Sequence, residues 1–193
     1  MRVLLHTCCA PCSSAIIEWM MGNDIRPTIY YCNPNIYPLD EYLKRKNECS
    51  RYAESLGLEI VDADYDHEEW LCRVSGLENE PERGRRCLEC FRMRLRRTAE
   101  YAHTHGFDTI ATTLASSRWK SLDQIEQAGN EACAPYPDVE FWARNWRKGG
   151  LQQRRGEIIR EMNFYNQTYC GCEFSMPADR QTQNPQNQPA CKI

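Results

Sequence analysis

Seven of the twelve cysteines in this chain fall into three tight groups: Cys8-Cys9-Ala10-Pro11-Cys12, Cys87-Leu88-Glu89-Cys90 and Cys170-Gly171-Cys172. A two-residue gap lets two sulfurs turn toward one site, and thiolates are the usual ligands of iron–sulfur clusters and zinc. Each group alone is a weak signal. Cys9 and Cys12 beside a helix also fit a thioredoxin-like redox pair, and Cys87 and Cys90 also fit two packed positions one helical turn apart. Three groups together favour metal over inert packing. One structural zinc or one cubane takes four ligands. Seven clustered thiols therefore leave a remainder, either a second metal site or a redox-active thiol group beside a cluster. Cys32, Cys49, Cys72 and Cys133 stand singly in the sequence and read as core or incidental, as does Cys191 near the end.

Two familiar cluster loops are excluded on spacing. A radical-SAM loop has Cys-x3-Cys-x2-Cys, and Cys8 and Cys12 fit its first gap, but Ala15 stands where the third cysteine is needed. A bacterial ferredoxin run built on Cys9 and Cys12 also meets Ala15 at its next position. The phosphate-binding patterns GxGxxG and GxxxxGKS/T are absent, so nothing points to ATP or a dinucleotide.

Composition sets the compartment in which those thiols are interpreted. The chain has 193 residues, 41% hydrophobic and 26% charged, as an ordinary globular protein does. The apolar run near the start stops at His6, too short for a signal-peptide core or a membrane span. The expectation is a cytoplasmic protein without membrane contact, whose thiols are kept reduced. Net charge is −3, so the molecule as a whole is no polycation made to coat nucleic acid. The stretch RGRRCLECFRMRLRR nonetheless sets seven arginines against Glu89, a local positive patch around Cys87 and Cys90.

The elements that must carry these groups read as alternating strands and helices. Strands are expected at 2–6, 27–32, 58–63 and 107–113, and helices at 15–21, 39–56, 86–103, 120–130 and 151–162. Gly57 and Gly106 follow two of the helices as stop signals. The pattern predicts an α/β fold, a parallel sheet flanked by helices with a helical C-terminal part. One metal-binding domain over 1–176 and a disordered polar tail over 177–193 complete the expected organisation. Ligands of such sheets gather beyond the carboxyl ends of the strands. The Cys8–Cys12 loop, the Asn33-Pro34-Asn35 turn and the loop at 112–117 all fall on that side.

The segments LLHTCCAPCSS, YYCNPNIYPLDEYLKRK, RCLECFRMRL, ATTLASS and YCGCEFS occur in that order, and together they resemble the cobalamin-independent epoxyqueuosine reductases. The resemblance implies a fold of the nucleotide-hydrolase-like (HUP-type) group, a 4Fe-4S cluster and an adjacent mononuclear iron. It also implies the last step of queuosine synthesis, two-electron deoxygenation of an epoxide to a cyclopentene in tRNA, with an unidentified electron donor. Cys8, Cys9, Cys87, Cys90, Cys170 and Cys172 are then the cofactor ligands. The family includes members with Asp in the place of Cys12, which assigns Cys12 to the second metal in a ligand set richer in sulfur. The segment ASSRWKSLDQI departs from the SPYQ-like pattern of the family.

The residues give the substrate contacts to be tested. Arg94 and Arg97 of the positive patch are candidates for tRNA phosphate, with a solvated helix face as the plain alternative. A flipped base is expected to stack on a tyrosine such as Tyr37 and to hydrogen-bond to Asn33 or Asn35, unless the asparagines only form a turn. His6, Tyr37 and Tyr169 lie near the motifs, and none is assigned as proton donor. A zinc-stabilised binding module and a thiol–disulfide oxidoreductase using Cys9 and Cys12 are the rival classes.

Overall fold

The computed structural model describes residues 1–177, so the expectations for the polar tail and for Cys191 lie outside the described residues. Five parallel strands, β1 (Val3–His6), β2 (Thr28–Tyr31), β3 (Ile60–Asp62), β4 (Thr109–Thr112) and β5 (Glu140–Phe141), form one sheet in the order β3-β2-β1-β4-β5. Six helices accompany them: α1 (Ala10–Met21), α2 (Leu39–Ser55), α3 (His67–Arg73), α4 (Arg85–Thr104), α5 (Leu122–Cys133) and α6 (Leu151–Glu161). The α/β class expected from the alternation is the one observed.

Every residue of β1 is buried, the mark of a central parallel strand covered on both faces. α1 packs with α2 and α6, whereas α4 packs with α3 and α5, so the sheet lies between two helical layers. The main core joins Leu4, Leu5, Ile16, Ile29, Leu95 and Ile110 across those layers. A smaller cluster holds Trp70, Val74, Met93, Cys90 and Cys172 together, with Phe174 against it. Among the described residues no helix is long and apolar enough to cross a membrane.

Two elements escape the pattern of the sequence. β5 is only two residues long, too short for alternation to register. α3 spans seven residues, capped by Asp66, whose carboxylate accepts the Glu69 N–H at 2.8 Å, and it is anchored by the buried Trp70. A third difference matters chemically: α1 starts at Ala10, five residues before the expected start. Pro11 suits a first turn, because its fixed φ is helical and its missing N–H would have had no partner there. Cys12 is thus inside the helix, one turn from its cap residue Cys9.

Candidate metal centre

The strand order reverses between β1 and β4, and ligands of such sheets bind in the region beyond the carboxyl ends of the two strands. The chain leaving β1 carries Cys8 and Cys9 into it. His6 pairs in register with both Tyr30 and Thr112, which brings the start of the next turn, Thr113, beside Cys8. The Cys8 N–H donates to Thr113 Oγ1 at 3.2 Å, and that hydroxyl lies 3.6 Å from Cys8 Sγ.

Cys9 caps α1 and Cys12 lies in its first turn, so their side chains project to the same end of the helix. The sulfurs of Cys8, Cys9 and Cys12 lie within 4.8 Å of one another, and those of Cys8 and Cys9 are 3.9 Å apart. Two thiolates bound tetrahedrally to one ion at bonds of about 2.3 Å are separated by about 3.8 Å. This trio has the dimensions of a single-ion site and can hold a metal.

Charge in the trio is distributed unevenly. Hydrogen bonding from Cys12 and Cys9, and then the cations Lys120 and Arg94, hold the Cys8 thiol well below its ordinary range. Burial pushes Cys9 well up, and the hydrogen bond to Cys8 pushes Cys12 to about 11. The N-terminus of α1 adds its own preference for negative charge. Full ligation must release protons from Cys9 and Cys12, whose thiols are pushed up.

The other two groups arrive from different elements. Cys87 and Cys90 lie in the first two turns of α4, where Cys87 Sγ accepts the Arg83 N–H at 3.3 Å and the buried Arg94 guanidinium lies 3.8 Å from Cys90 Sγ. Cys170 and Cys172 ride on the chain that returns after α6 over the same end of the sheet. Cys172 packs with Cys90 in the smaller core cluster. Burial raises Cys87 to about 11, with neighbouring Cys90 and Cys170 adding to the effect. Arg94 lies within electrostatic reach of Cys90, Cys8 and Cys170, and Lys120 within reach of Cys170, Cys8 and Cys12. Arg94 thus has a member of each of the three groups in its surroundings.

The returning chain is held by a residue that the sequence reading did not single out. Arg45, 2% exposed, pairs with Glu41 and donates to the carbonyls of Cys170 at 3.1 Å and Tyr169 at 3.3 Å. Tyr37 N–H donates to the Gly171 carbonyl at 2.9 Å, and the Tyr169 hydroxyl donates to the Tyr37 carbonyl. Gly171 sits at φ +133°, and a Cβ there would meet Ile36 Cγ1 at 3.0 Å and the Arg45 guanidinium at 3.2 Å. Gly171→Ala is expected to cost about 1–3 kcal/mol in backbone strain and to displace the Cys170–Cys172 clip. Metal content should fall sharply while far-UV circular dichroism remains that of the parent.

Gln167 is a further residue that sequence spacing gave no reason to choose. Its amide nitrogen lies 2.8 Å from Cys9 Sγ and 3.9 Å from Cys12 Sγ, and its amide oxygen is buried without a partner. An orphaned buried oxygen next to a sulfur trio is what a missing ion or substrate group leaves. His6 has the opposite character. Nε2–H donates to the Cys32 carbonyl at 3.1 Å, so Nδ1 accepts from the Thr112 hydroxyl at 2.8 Å. Burial and Arg94 push its pKa down to about 3, which leaves it a neutral structural group.

The expected substrate residues divide. Asn33 is buried and fully occupied, donating to the Thr7 carbonyl at 2.9 Å and accepting from Arg94 at 2.5 Å. Asn35 is buried with its amide oxygen unpartnered, and its amide nitrogen lies 3.3 Å from where a Gly171 Cβ would be. Tyr37 is half-buried and stacks on His67 at 5.2 Å. Arg94 is only 2% exposed, on the inner stripe of α4 with Cys90, Phe91 and Thr98, whereas a phosphate contact needs an open cation. Arg97 is half-buried and pairs with Glu69.

Known proteins match this chain over nearly its whole length. The sequence profile of epoxyqueuosine reductase QueH matches residues 3–178. The epoxyqueuosine reductase QueH of Histophilus somni is 50% identical over 175 residues, 91% of this chain and 72% of that protein. That of Acinetobacter baylyi is 46% identical over 175 residues, covering 91% and 80%. The Thermotoga maritima protein of the same name is 35% identical over 177 residues, 90% of each chain. With its trio of cysteine sulfurs and these relatives, the chain belongs to the epoxyqueuosine reductase QueH family.

Proposed function

We propose that this chain reduces epoxyqueuosine to queuosine in tRNA, using a 4Fe-4S cluster and an adjacent iron held by the seven grouped cysteines. The observation that carries the reading is the sulfur trio of Cys8, Cys9 and Cys12, with Cys90 packed on Cys172, in a member of a family named for this reaction.

The division of ligands follows from spacing and number. Cys8, Cys9 and Cys12 have the separation of thiolates on one ion, so they hold the single iron, with the Gln167 amide beside them. Cys87, Cys90, Cys170 and Cys172 are then the four that a cubane takes. When bound, the cluster supplies single electrons and the iron supplies a Lewis acid for oxygen. Removing an epoxide oxygen as water consumes two electrons and two protons, so an external electron donor must supply two electrons per turnover.

The protein's own groups prepare the site. Arg94 and Lys120 offset the negative charge that several thiolates bring into a buried site. Asn35 offers its free amide oxygen to the bound nucleoside, and Tyr37 offers a ring at the rim. Asn33 contributes indirectly, by fixing Arg94. A tRNA substrate accords with a cytoplasmic location.

The thiol–disulfide alternative fits the geometry less well. An attacking thiol needs exposure and a depressed pKa, whereas Cys9 and Cys12 are 1% and 8% exposed and both are pushed up. The reading is tested by anaerobic single turnover of epoxyqueuosine tRNA with reconstituted, chemically reduced protein. Queuosine in the digested tRNA sustains it, and unchanged epoxyqueuosine with fully loaded protein overturns it.

A further inference from the structure

The loop after β4 carries Arg118 and Trp119. Trp119 is 64% exposed, the one aromatic among the exposed large hydrophobic side chains of the described residues. A tryptophan ring held in water by a fixed backbone offers a flat face on which a base can stack. The backbone is fixed because two arginines hold the loop from opposite ends. Arg83 donates to the carbonyls of Trp119 at 3.0 Å and Arg118 at 2.8 Å, and Arg147 donates to those of Ser117 at 2.5 Å and Lys120 at 2.7 Å.

The Arg118 guanidinium lies 5.1 Å from the centre of the Trp119 ring. A cation beside an open π-face suits an anionic partner with flat rings, which describes an unpaired nucleotide better than a protein surface. The platform is also tied to the sulfurs. Arg83 donates its own backbone N–H to Cys87 Sγ at 3.3 Å, and the loop begins at Thr113, in contact with Cys8.

We propose that Trp119 and Arg118 form a stacking platform for an unpaired base next to the modified nucleotide of the substrate RNA. The inference rests on the tRNA reading given above and adds the residues that would take the neighbouring base. Nothing in it requires the ring to touch the reacting atoms.

The test uses reconstituted full-length protein, an epoxyqueuosine-containing RNA stem-loop and the free epoxyqueuosine nucleoside. Loss of one stacked base weakens binding by about tenfold or more, so Trp119→Ala should raise the stem-loop Kd by at least that factor. Its visible spectrum and its conversion of the free nucleoside should match those of the parent. Trp119→Phe should keep the affinity within about threefold, since a smaller ring still stacks, yet remove the quenching of tryptophan emission on binding. Unchanged stem-loop affinity in Trp119→Ala overturns the platform and returns the ring to a protein contact. Parent protein that converts the nucleoside but binds no stem-loop overturns the platform and the RNA substrate while leaving the reductase standing. Parent protein that binds the stem-loop through Trp119 but converts neither substrate keeps the platform and overturns the reductase.

Discussion

Cys90→Ala abolishes the broad visible absorbance of the anaerobically reconstituted protein and lowers epoxide reduction by more than about a hundredfold, the upper range for disturbing a metal shell. Cys90 is buried, packs with Cys172 and faces Arg94, so no water or neighbouring oxygen can take its place as a ligand. Cys12 is expected to behave differently. Its sulfur belongs to the trio of single-ion dimensions, and an ion in a mixed ligand set accepts oxygen where a cubane clip does not. Cys12→Asp should keep the colour and part of the turnover, whereas Cys12→Ala should keep the colour and lose most of the turnover. Cys133→Ala, on α5, serves as the control and should change neither. Absorbance, electron paramagnetic resonance and single-turnover conversion of each variant decide the matter. A Cys12→Asp protein without its cluster would move Cys12 among the cubane ligands.

Arg94→Met carries the second large effect, and it falls on stability as well as on the metal. The substitution leaves Asn33 Oδ1 without its donor, a buried acceptor at about 1–3 kcal/mol, and leaves the Cys32 carbonyl with His6 alone. A loss of about 2 kcal/mol is expected in denaturant unfolding of the metal-free protein. The loaded protein should suffer further, because the cation nearest Cys90, Cys8 and Cys170 is gone. Arg97→Met removes only a half-buried pair with Glu69 and should cost less than about 1 kcal/mol. Equal effects of the two substitutions would contradict the burial of Arg94.

These two arginines show how far the sequence can be read. They lie three residues apart in a basic run, and charge alone gives no reason to separate them. The helical stripe does: Cys90, Phe91, Arg94, Leu95 and Thr98 repeat at the spacing of a buried face, which places Arg94 inside. The strands were readable for the same kind of reason, since β1, β2 and β4 are compact apolar or β-branched runs. The early start of α1 was hidden because Cys-Cys-Ala-Pro reads as a turn when the first-turn tolerance for proline is left out.

The cysteine groups were readable from spacing, but their arrangement was not. Which sulfurs adjoin depends on the crossover that sets α4 beside β1 and on the return of the chain over the sheet, contacts between residues far apart in sequence. Arg45 and Gln167 were missed on the same ground. Nothing near Gln167 in sequence indicates that its amide reaches a cysteine 158 positions away, and Arg45 looks like any other charge on a surface helix.

The most direct measurement is the iron and acid-labile sulfide content of the anaerobically reconstituted parent chain, taken together with thiol alkylation. More iron than sulfide, with Cys8, Cys9 and Cys12 protected from alkylation, is the expected result. A colourless zinc protein would contradict the metal centre described here, as would equal iron and sulfide with those three thiols freely alkylated.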